Sequence, residues 1–217
     1  MAHNMADAWR EVPHVSLFDE IDARPVLDAL RAARDLSGDD GLTLTALFVR
    51  ATVVALGELP LLNAAFDSAH DELVHHDACH VGVAVATPQG LVVPVVRDAQ
   101  ARTLLELGAE INRLTAVARA GRVTPSDLDG ATFTVTNYGT AGGRFATPIV
   151  RPPQVAIVGC GAIRVHPVVS GDTVIAAPAL PLALSVDHRV VDGHDATTFL
   201  DRTADLLRAP LALLGPS

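Results

Sequence analysis

The 217 residues predict an α/β (α+β) fold, a mixed β-sheet covered by helices. Three observations point there. Strand-like and helix-like segments interleave without the regular strand–helix–strand rhythm of a parallel sheet. Hydrophobic residues make up 49% of the chain, enough for a large core in one domain of this length. Ala, Val and Leu supply most of that content and aromatics only 4%, which suits closely packed layers.

Each element has its own signal. Residues 12–22 read as a strand. Residues 25–36 show helical spacing, with Val26, Leu27, Leu30 and Ala33 apolar and Asp28, Arg31 and Arg34 polar. Ser37-Gly38-Asp39-Asp40-Gly41 breaks that helix. Residues 43–59 are apolar almost all round, the mark of a buried helix. Two or three strands follow between Asn63 and Val96, where Pro88-Gln89-Gly90 turns residues 81–86 into residues 91–96 as a hairpin. Residues 103–119 form an amphipathic helix on Leu104, Leu107, Ile111 and Leu114. In residues 131–137, Phe133 and Val135 alternate with threonines, the period of a strand. A glycine-rich loop (139–143) and Pro152-Pro153 precede strands at 155–165 and 173–176. A mostly apolar run at 179–186 is a buried strand, and residues 195–207 a final helix. There is no internal repeat and no long linker.

Composition excludes several functions. A formal charge of −9 argues against nucleic-acid binding, which needs a basic face. The chain contains no lysine, so it carries no lipoyl-lysine, no Schiff-base lysine and no ordinary P-loop. Cys79 and Cys160 are too few for a disulfide framework and read as buried thiols. No apolar run of about 18 residues could span a bilayer, and no secretory signal is present, so a cytoplasmic protein is expected.

The most informative stretch is Ser185-Val186-Asp187-His188-Arg189-Val190-Val191-Asp192-Gly193. A strand that ends by presenting His, Asp and Gly is a poor core but a good mount for an imidazole. A single histidine is more often a hydrogen-bonded structural residue, and His-x-x-x-Asp-Gly alone arises by chance. The flanking residues change that balance. The stretch resembles the signature of the dihydrolipoyl acyltransferases of 2-oxo acid dehydrogenase complexes. Further likenesses lie at Val12-Pro13-His14-Val15, Leu59-Pro60-Leu61-Leu62-Asn63, residues 81–99, residues 127–137 and Pro152-Pro153-Gln154-Val155-Ala156-Ile157, in the family's order.

The resemblance implies a chloramphenicol acetyltransferase-like two-layer fold, trimeric, with residues 12–217 as the acyltransferase catalytic domain. Residues 1–11 then read as a remnant (Met1-Ala2-His3-Asn4-Met5) plus a truncated N-terminal arm. It implies acyl transfer between coenzyme A and a dihydrolipoyl group supplied by another domain or chain. Free thiols, with pKa near ~8.5, are mostly protonated at neutral pH, so a base is useful. His188 is the expected base, and the Thr136 hydroxyl the expected oxyanion donor; without the resemblance Thr136 reads as an ordinary strand threonine. In the family these two groups meet across a subunit boundary. Asp192 reads either as a brace paired with an arginine or as a direct orienter of His188, with the brace favoured and Arg10 the nearest candidate partner. Gly193 is expected to permit a tight turn, and Asn137 to support the site or the turn. The coenzyme A contacts cannot be read from the sequence.

The resemblance also implies partners: copies of itself in a trimer or a larger cubic or shell-like core, a lipoyl domain, and the decarboxylating and dihydrolipoyl dehydrogenase components. Gly142-Gly143-Arg144-Phe145-Ala146-x-Pro148 and Asp19-Glu20-Ile21-Asp22 resemble the branched-chain enzymes, so branched-chain acyl transfer is the expectation. An acetyl-transferring version and a scaffold core with little activity are the alternatives. A metal site at His75-His76-Asp77-x-Cys79-His80 is the rival from another class. Its spacing fits no standard zinc motif and a strand would split its ligands, so no metal is expected.

Overall fold

The computed structural model describes residues 2–37 and 41–213. Helix α1 (Ala2–Glu11) leads into strand β1 (His14–Asp22), then α2 (Arg24–Ser37) and α3 (Leu44–Glu58). Thr43 caps α3 by accepting from the Ala46 N–H. The region read as two or three strands holds six short ones: β2 (Ala64–Asp67), β3 (Glu72–His75), β4 (Val81–Val83), β5 (Val85–Thr87), β6 (Gly90–Val92) and β7 (Val95–Val96). The expected hairpin survives in two pieces. β5 pairs with β6 around the turn and β4 with β7, with Pro94, which has no N–H to donate, between β6 and β7. Helices α4 (Leu104–Arg119) and the short α5 (Pro125–Leu128) follow, then β8 (Phe133–Asn137), β9 (Ala156–Cys160), β10 (Arg164–Ser170), β11 (Thr173–Asp187) and α6 (Gly193–Arg208).

The main sheet runs β1-β11-β9-β8-β4-β7, with β10 also paired to β11. It is mixed: β8 lies parallel to both β4 and β9, whereas β11 is antiparallel to β1, β9 and β10. The strands expected at 173–176 and 179–186 are one strand. The Pro178 carbonyl accepts from Ala23 N–H and the Pro181 carbonyl from Gly161 N–H, so the two prolines sit in the ladder without ending it.

Helix α3 is buried on nearly every face, including Leu47, Phe48, Val49, Val53 and Leu56. It packs against α2, α4 and α6, as its all-round apolar sequence requires. Phe133 of β8 and Phe199 of α6 meet in the core at 5.7 Å. Both cysteines are buried, and burial pushes each thiol up to about 12, so neither serves as a nucleophile.

Candidate active site

Strand β8 builds one half of the site. Its alternation turns Phe133 and Val135 into the core and sends Thr134, Thr136 and Tyr138 along the floor of a cleft of about 520 Å³. The walls are largely apolar, including Ala84, Val92, Leu128, Pro148, Ile149 and Ile157. Thr134 is committed, donating to Gln154 Oε1 at 2.6 Å. Thr136 is half-buried, and its hydroxyl has no hydrogen-bond partner among the described residues. It is free to meet a ligand. A Cβ on Gly159 would come within 2.9 Å of Thr136 Cγ2 and 2.7 Å of Tyr138 Cε1. Only glycine there lets both side chains keep these positions on the neighbouring strand. The Tyr138 hydroxyl is covered, with the Ala146 backbone beside it and no hydrogen bond of ordinary geometry among the described residues, and burial pushes it up to about 12. Asn137 points elsewhere: it donates to Thr45 Oγ1 at 3.0 Å and accepts from Gly139 N–H at 3.1 Å, tying the end of β8 to α3 and to the next turn.

The end of β11 builds a second region. His188 is exposed on the turn that follows the strand, and its backbone N–H donates to the Pro13 carbonyl at 3.1 Å. Its neighbours are clamped. Asp187, only 1% exposed, accepts from Arg189 Nη2 at 2.6 Å, from Arg189 Nε at 3.0 Å and from the Arg189 backbone N–H at 3.0 Å. The Asp187 carbonyl takes the N–H groups of Val190 and Val191. Arg189 also lies over the Phe66 ring at 4.7 Å and donates to Ser68 Oγ at 3.2 Å. A buried carboxylate is tolerable because it is paired and hydrogen-bonded in this way.

Two expectations change here. Asp192 has no arginine partner among the described residues; it is exposed and is the N-cap of α6, accepting from His194 N–H at 2.8 Å and Asp195 N–H at 2.9 Å. Those bonds, the Asp195 one foremost, hold its carboxyl below the usual range. Arg10 faces Asp7 at 3.6 Å instead. Gly193 is the first residue of α6 and has no left-handed backbone, so the turn does not need its freedom. The ion pair sought at Asp192 sits at Asp187. The adjacent Asp-His-Arg in the sequence was the signal for it, since an aspartate can bond the backbone two residues on.

Thr136 and His188 do not meet within one chain. Thr136 is level with Gly159, and Gly159 with Ala183, five residues before His188. Strand rise and spacing put their Cα atoms about 19 Å apart. The two branched-chain-like segments meet each other through four of their side chains. Arg144 pairs with Glu20 at 2.9 Å and Phe145 packs edge-on against Phe18 at 5.8 Å. Of the loop, Ala146 and Pro148 reach the cleft wall. The His75–His80 stretch is also divided: His75 ends β3, while His80 Nδ1 accepts from Asp98 N–H at 3.0 Å. No group of three ligand-type side chains gathers for a metal among the described residues.

Comparison with known proteins places this arrangement. A family model described as 2-oxoacid dehydrogenases acyltransferase (catalytic domain) matches residues 1–215. The dihydrolipoyllysine-residue acetyltransferase component of the pyruvate dehydrogenase complex of Staphylococcus epidermidis is 38% identical over 216 residues, 99% of this chain and 50% of that protein. The chain therefore spans about half the length of the curated relatives it matches. Azotobacter vinelandii dihydrolipoamide acetyltransferase, solved to probe the catalytic role of one serine, one histidine and one asparagine, superposes with a TM-score of 0.91 at 36% identity, covering 99% of this chain and 89% of that one. The cubic core of the pyruvate dehydrogenase multienzyme complex gives 0.91 at 37% identity with the same coverage. Chloramphenicol acetyltransferase, at 15% identity and a TM-score of 0.58 over 94% of each chain, shares the fold.

Proposed function

The chain belongs to the family of 2-oxoacid dehydrogenase acyltransferase catalytic domains, and on that premise we propose that it transfers an acyl group between coenzyme A and a dihydrolipoyl-lysine brought by another domain or chain. The observation that carries the reading is the division of the site: a free Thr136 hydroxyl in a preformed cleft, and a clamped, exposed His188 about 19 Å away. Each half makes chemical sense only against the other half of a second copy. The chain accordingly works as an oligomer, a trimer or a larger core built from trimers. The solved cubic core of a pyruvate dehydrogenase complex, similar along almost this whole chain, supports assembly of this kind.

The chemistry follows from the groups. His188 of one copy takes the thiol proton as sulfur attacks the thioester carbonyl carbon. The carbonyl oxygen becomes an oxyanion, which accepts a hydrogen bond from the Thr136 hydroxyl of the neighbouring copy. Collapse breaks the original carbon–sulfur bond, and His188 returns the proton to the departing sulfur. In the Azotobacter protein the three probed residues have the same spacings along the chain as Thr136, His188 and Asp192 here, with serine and asparagine in place of threonine and aspartate. An asparagine can also accept at a helix N-terminus, which suits the capping role of Asp192.

Acetyl is the acyl group best supported. The curated relatives are acetyltransferases of pyruvate dehydrogenase complexes, and the branched-chain-like features at Arg144, Phe145 and Glu20 are engaged with each other away from the cleft. Comparing kcat/KM for acetyl-CoA and isobutyryl-CoA decides this; a preference for isobutyryl-CoA restores the branched-chain reading.

The test of the divided site is complementation. His188→Ala and Thr136→Val chains, each nearly inactive alone, should regain turnover when co-assembled, because some interfaces then carry both intact groups. Mixed oligomers of proven composition that stay inactive refute the reading.

A further inference from the structure

His14 opens β1, and both of its ring nitrogens are engaged. Nδ1 lies 2.8 Å from the Val12 carbonyl oxygen, and Nε2 lies 2.9 Å from the Val150 backbone nitrogen. A carbonyl oxygen only accepts and a backbone N–H only donates. Nδ1 therefore donates to Val12, and Nε2 accepts from Val150. One form of the ring does both: the neutral imidazole with its hydrogen on Nδ1. Trp9 of α1 stacks on the ring at 5.3 Å, and the strand ladder sets His14 opposite buried Asp187.

The distant partner of the ring is the cleft wall. Residues 146–151 lie outside any helix or strand, so no ladder spaces them. Ile149 and Arg151 line the cleft, while Val150 between them is fully buried against Val12 and Ile157. Ile157 is itself a lining residue, level with Thr134 on the neighbouring strand. The Val150 side chain seats the wall on this small cluster, and its N–H anchors the wall to His14. A buried N–H left without an acceptor is costly, so loss of the ring moves the wall until another partner is found. Pro13, next to His14, accepts from the His188 N–H at 3.1 Å, so His14 stands between the two halves of the site. Its own long-range bond goes to the cleft half.

We propose that neutral His14 is a positioning residue for acyl transfer: through the Val150 N–H it holds Pro148 and Ile149 at the separation from Thr136 that the acyl thioester requires. This rests on the acyl-transfer reading above. It assigns His14 to the cleft half, although the residue beside it touches the His188 turn.

The experiment separates the two ring bonds in the assembled full chain. A glutamine places an amide oxygen where Nε2 was and can accept from Val150, whereas the shorter asparagine reaches only toward Val12. His14→Asn should lower kcat/KM for acetyl-CoA about 10–100-fold, up to the ~10²-fold that a 1 Å misplacement costs, and His14→Gln should stay within about threefold of the wild type. Circular dichroism and oligomer mass should match the wild type for both. A second arm uses mixed oligomers of His188→Ala chains, which bring the cleft, and Thr136→Val chains, which bring the base. Adding His14→Asn to the His188→Ala chain should cost as much as it does in the intact chain. Adding it to the Thr136→Val chain should leave turnover nearly unchanged, an asymmetry that a mere loss of stability does not produce. Equal activity of His14→Gln and His14→Asn, or equal loss in the two mixed oligomers, overturns the assignment while leaving acyl transfer intact. Mixed oligomers that are inactive with His14 unaltered refute the divided site, and the comparison of His14→Gln with His14→Asn then decides the role of His14. A wild-type protein that does not turn over acetyl-CoA with dihydrolipoamide overturns acyl transfer itself, and this assignment with it.

Discussion

The floor of the cleft and the end of β11 are held by opposite means. Thr136 sits on a strand whose other face is packed into the core, with Phe133 and Val135 fully buried, and its cleft exists within one chain. His188 sits exposed on a surface turn, and polar bonds hold it in place: the Asp187–Arg189 pair before and after it, and the Asp192 cap at the start of α6. Packing supplies a shaped, water-poor surface but no freely placed base. A clamped turn supplies the base but no shape. In the proposed split site each half is held by the kind of force suited to it, and on that proposal activity depends on assembly.

That contrast can be broken at four points. His188→Ala should cost the most, about 10²–10⁴-fold in kcat, the range for losing a general base. Because the side chain is exposed, the melting temperature and the oligomer mass should stay as in the wild type. A large fall in either shows that His188 serves packing instead. Thr136→Val removes the hydroxyl at nearly constant volume and should lower kcat about 10²–10³-fold, with the fold retained by circular dichroism. Wild-type turnover in Thr136→Val removes the β8 half of the site.

Arg189→Lys keeps the charge and loses the forked grip on Asp187. About tenfold in kcat is expected, up to the ~10²-fold that a 1 Å misplacement costs, with KM for acetyl-CoA nearly unchanged. Arg189→Ala leaves a buried carboxylate unpaired and should also destabilise the chain by about 3 kcal/mol in denaturant titrations. Equal loss in kcat and KM for Arg189→Lys argues against a positioning role for the clamp.

Asp192→Ala should do least: a lower melting temperature of about 2–4 °C from the lost cap, with a smaller loss of turnover than Arg189→Lys. The pH dependence has a definite sign. The Asp192 carboxyl is held below its ordinary value in the folded chain, so its contribution is fully present above the unfolded carboxylate range, near ~3.9, and is lost as pH falls through the lower folded value. The wild type and Asp192→Ala should therefore differ in stability at neutral pH and converge in strong acid. A difference that persists there assigns the effect to something other than the ionised cap.

How far each element was legible follows from the range of the interactions that define it. The buried helix at α3, the amphipathic α4 and the alternation of β8 are local periodicities, and they lie where the residue pattern puts them. The segment from Asn63 to Val96 was underestimated because six short strands pair with partners up to 52 residues away in sequence. Pro178 falls in the gap between the strands expected at 173–176 and 179–186, yet a proline can still accept at its carbonyl, and Ala23 supplies the donor. Thr136 and Tyr138 were two apart on one strand, so their shared face was legible. The cleft wall at Pro148 and Ile149 was not, because a stretch without regular structure has no periodicity to read.

The sequence by itself determined the family, singled out Thr136 and His188 as candidates for the proposed chemistry, and, being free of lysine, left no side chain in this chain to which a lipoyl group could be attached. The tertiary structure alone decided what those residues lean on. It moved the ion pair from Asp192 to Asp187, made Gly193 a helix start, turned the branched-chain-like segments toward each other and set His188 about 19 Å from Thr136. The physical reason is the same throughout. Residue types and spacings record which chemistry is available and which short-range periods repeat. Partners in hydrogen bonds and ion pairs, and distances across a sheet, are set by strand order and register, which emerge when distant segments pack together.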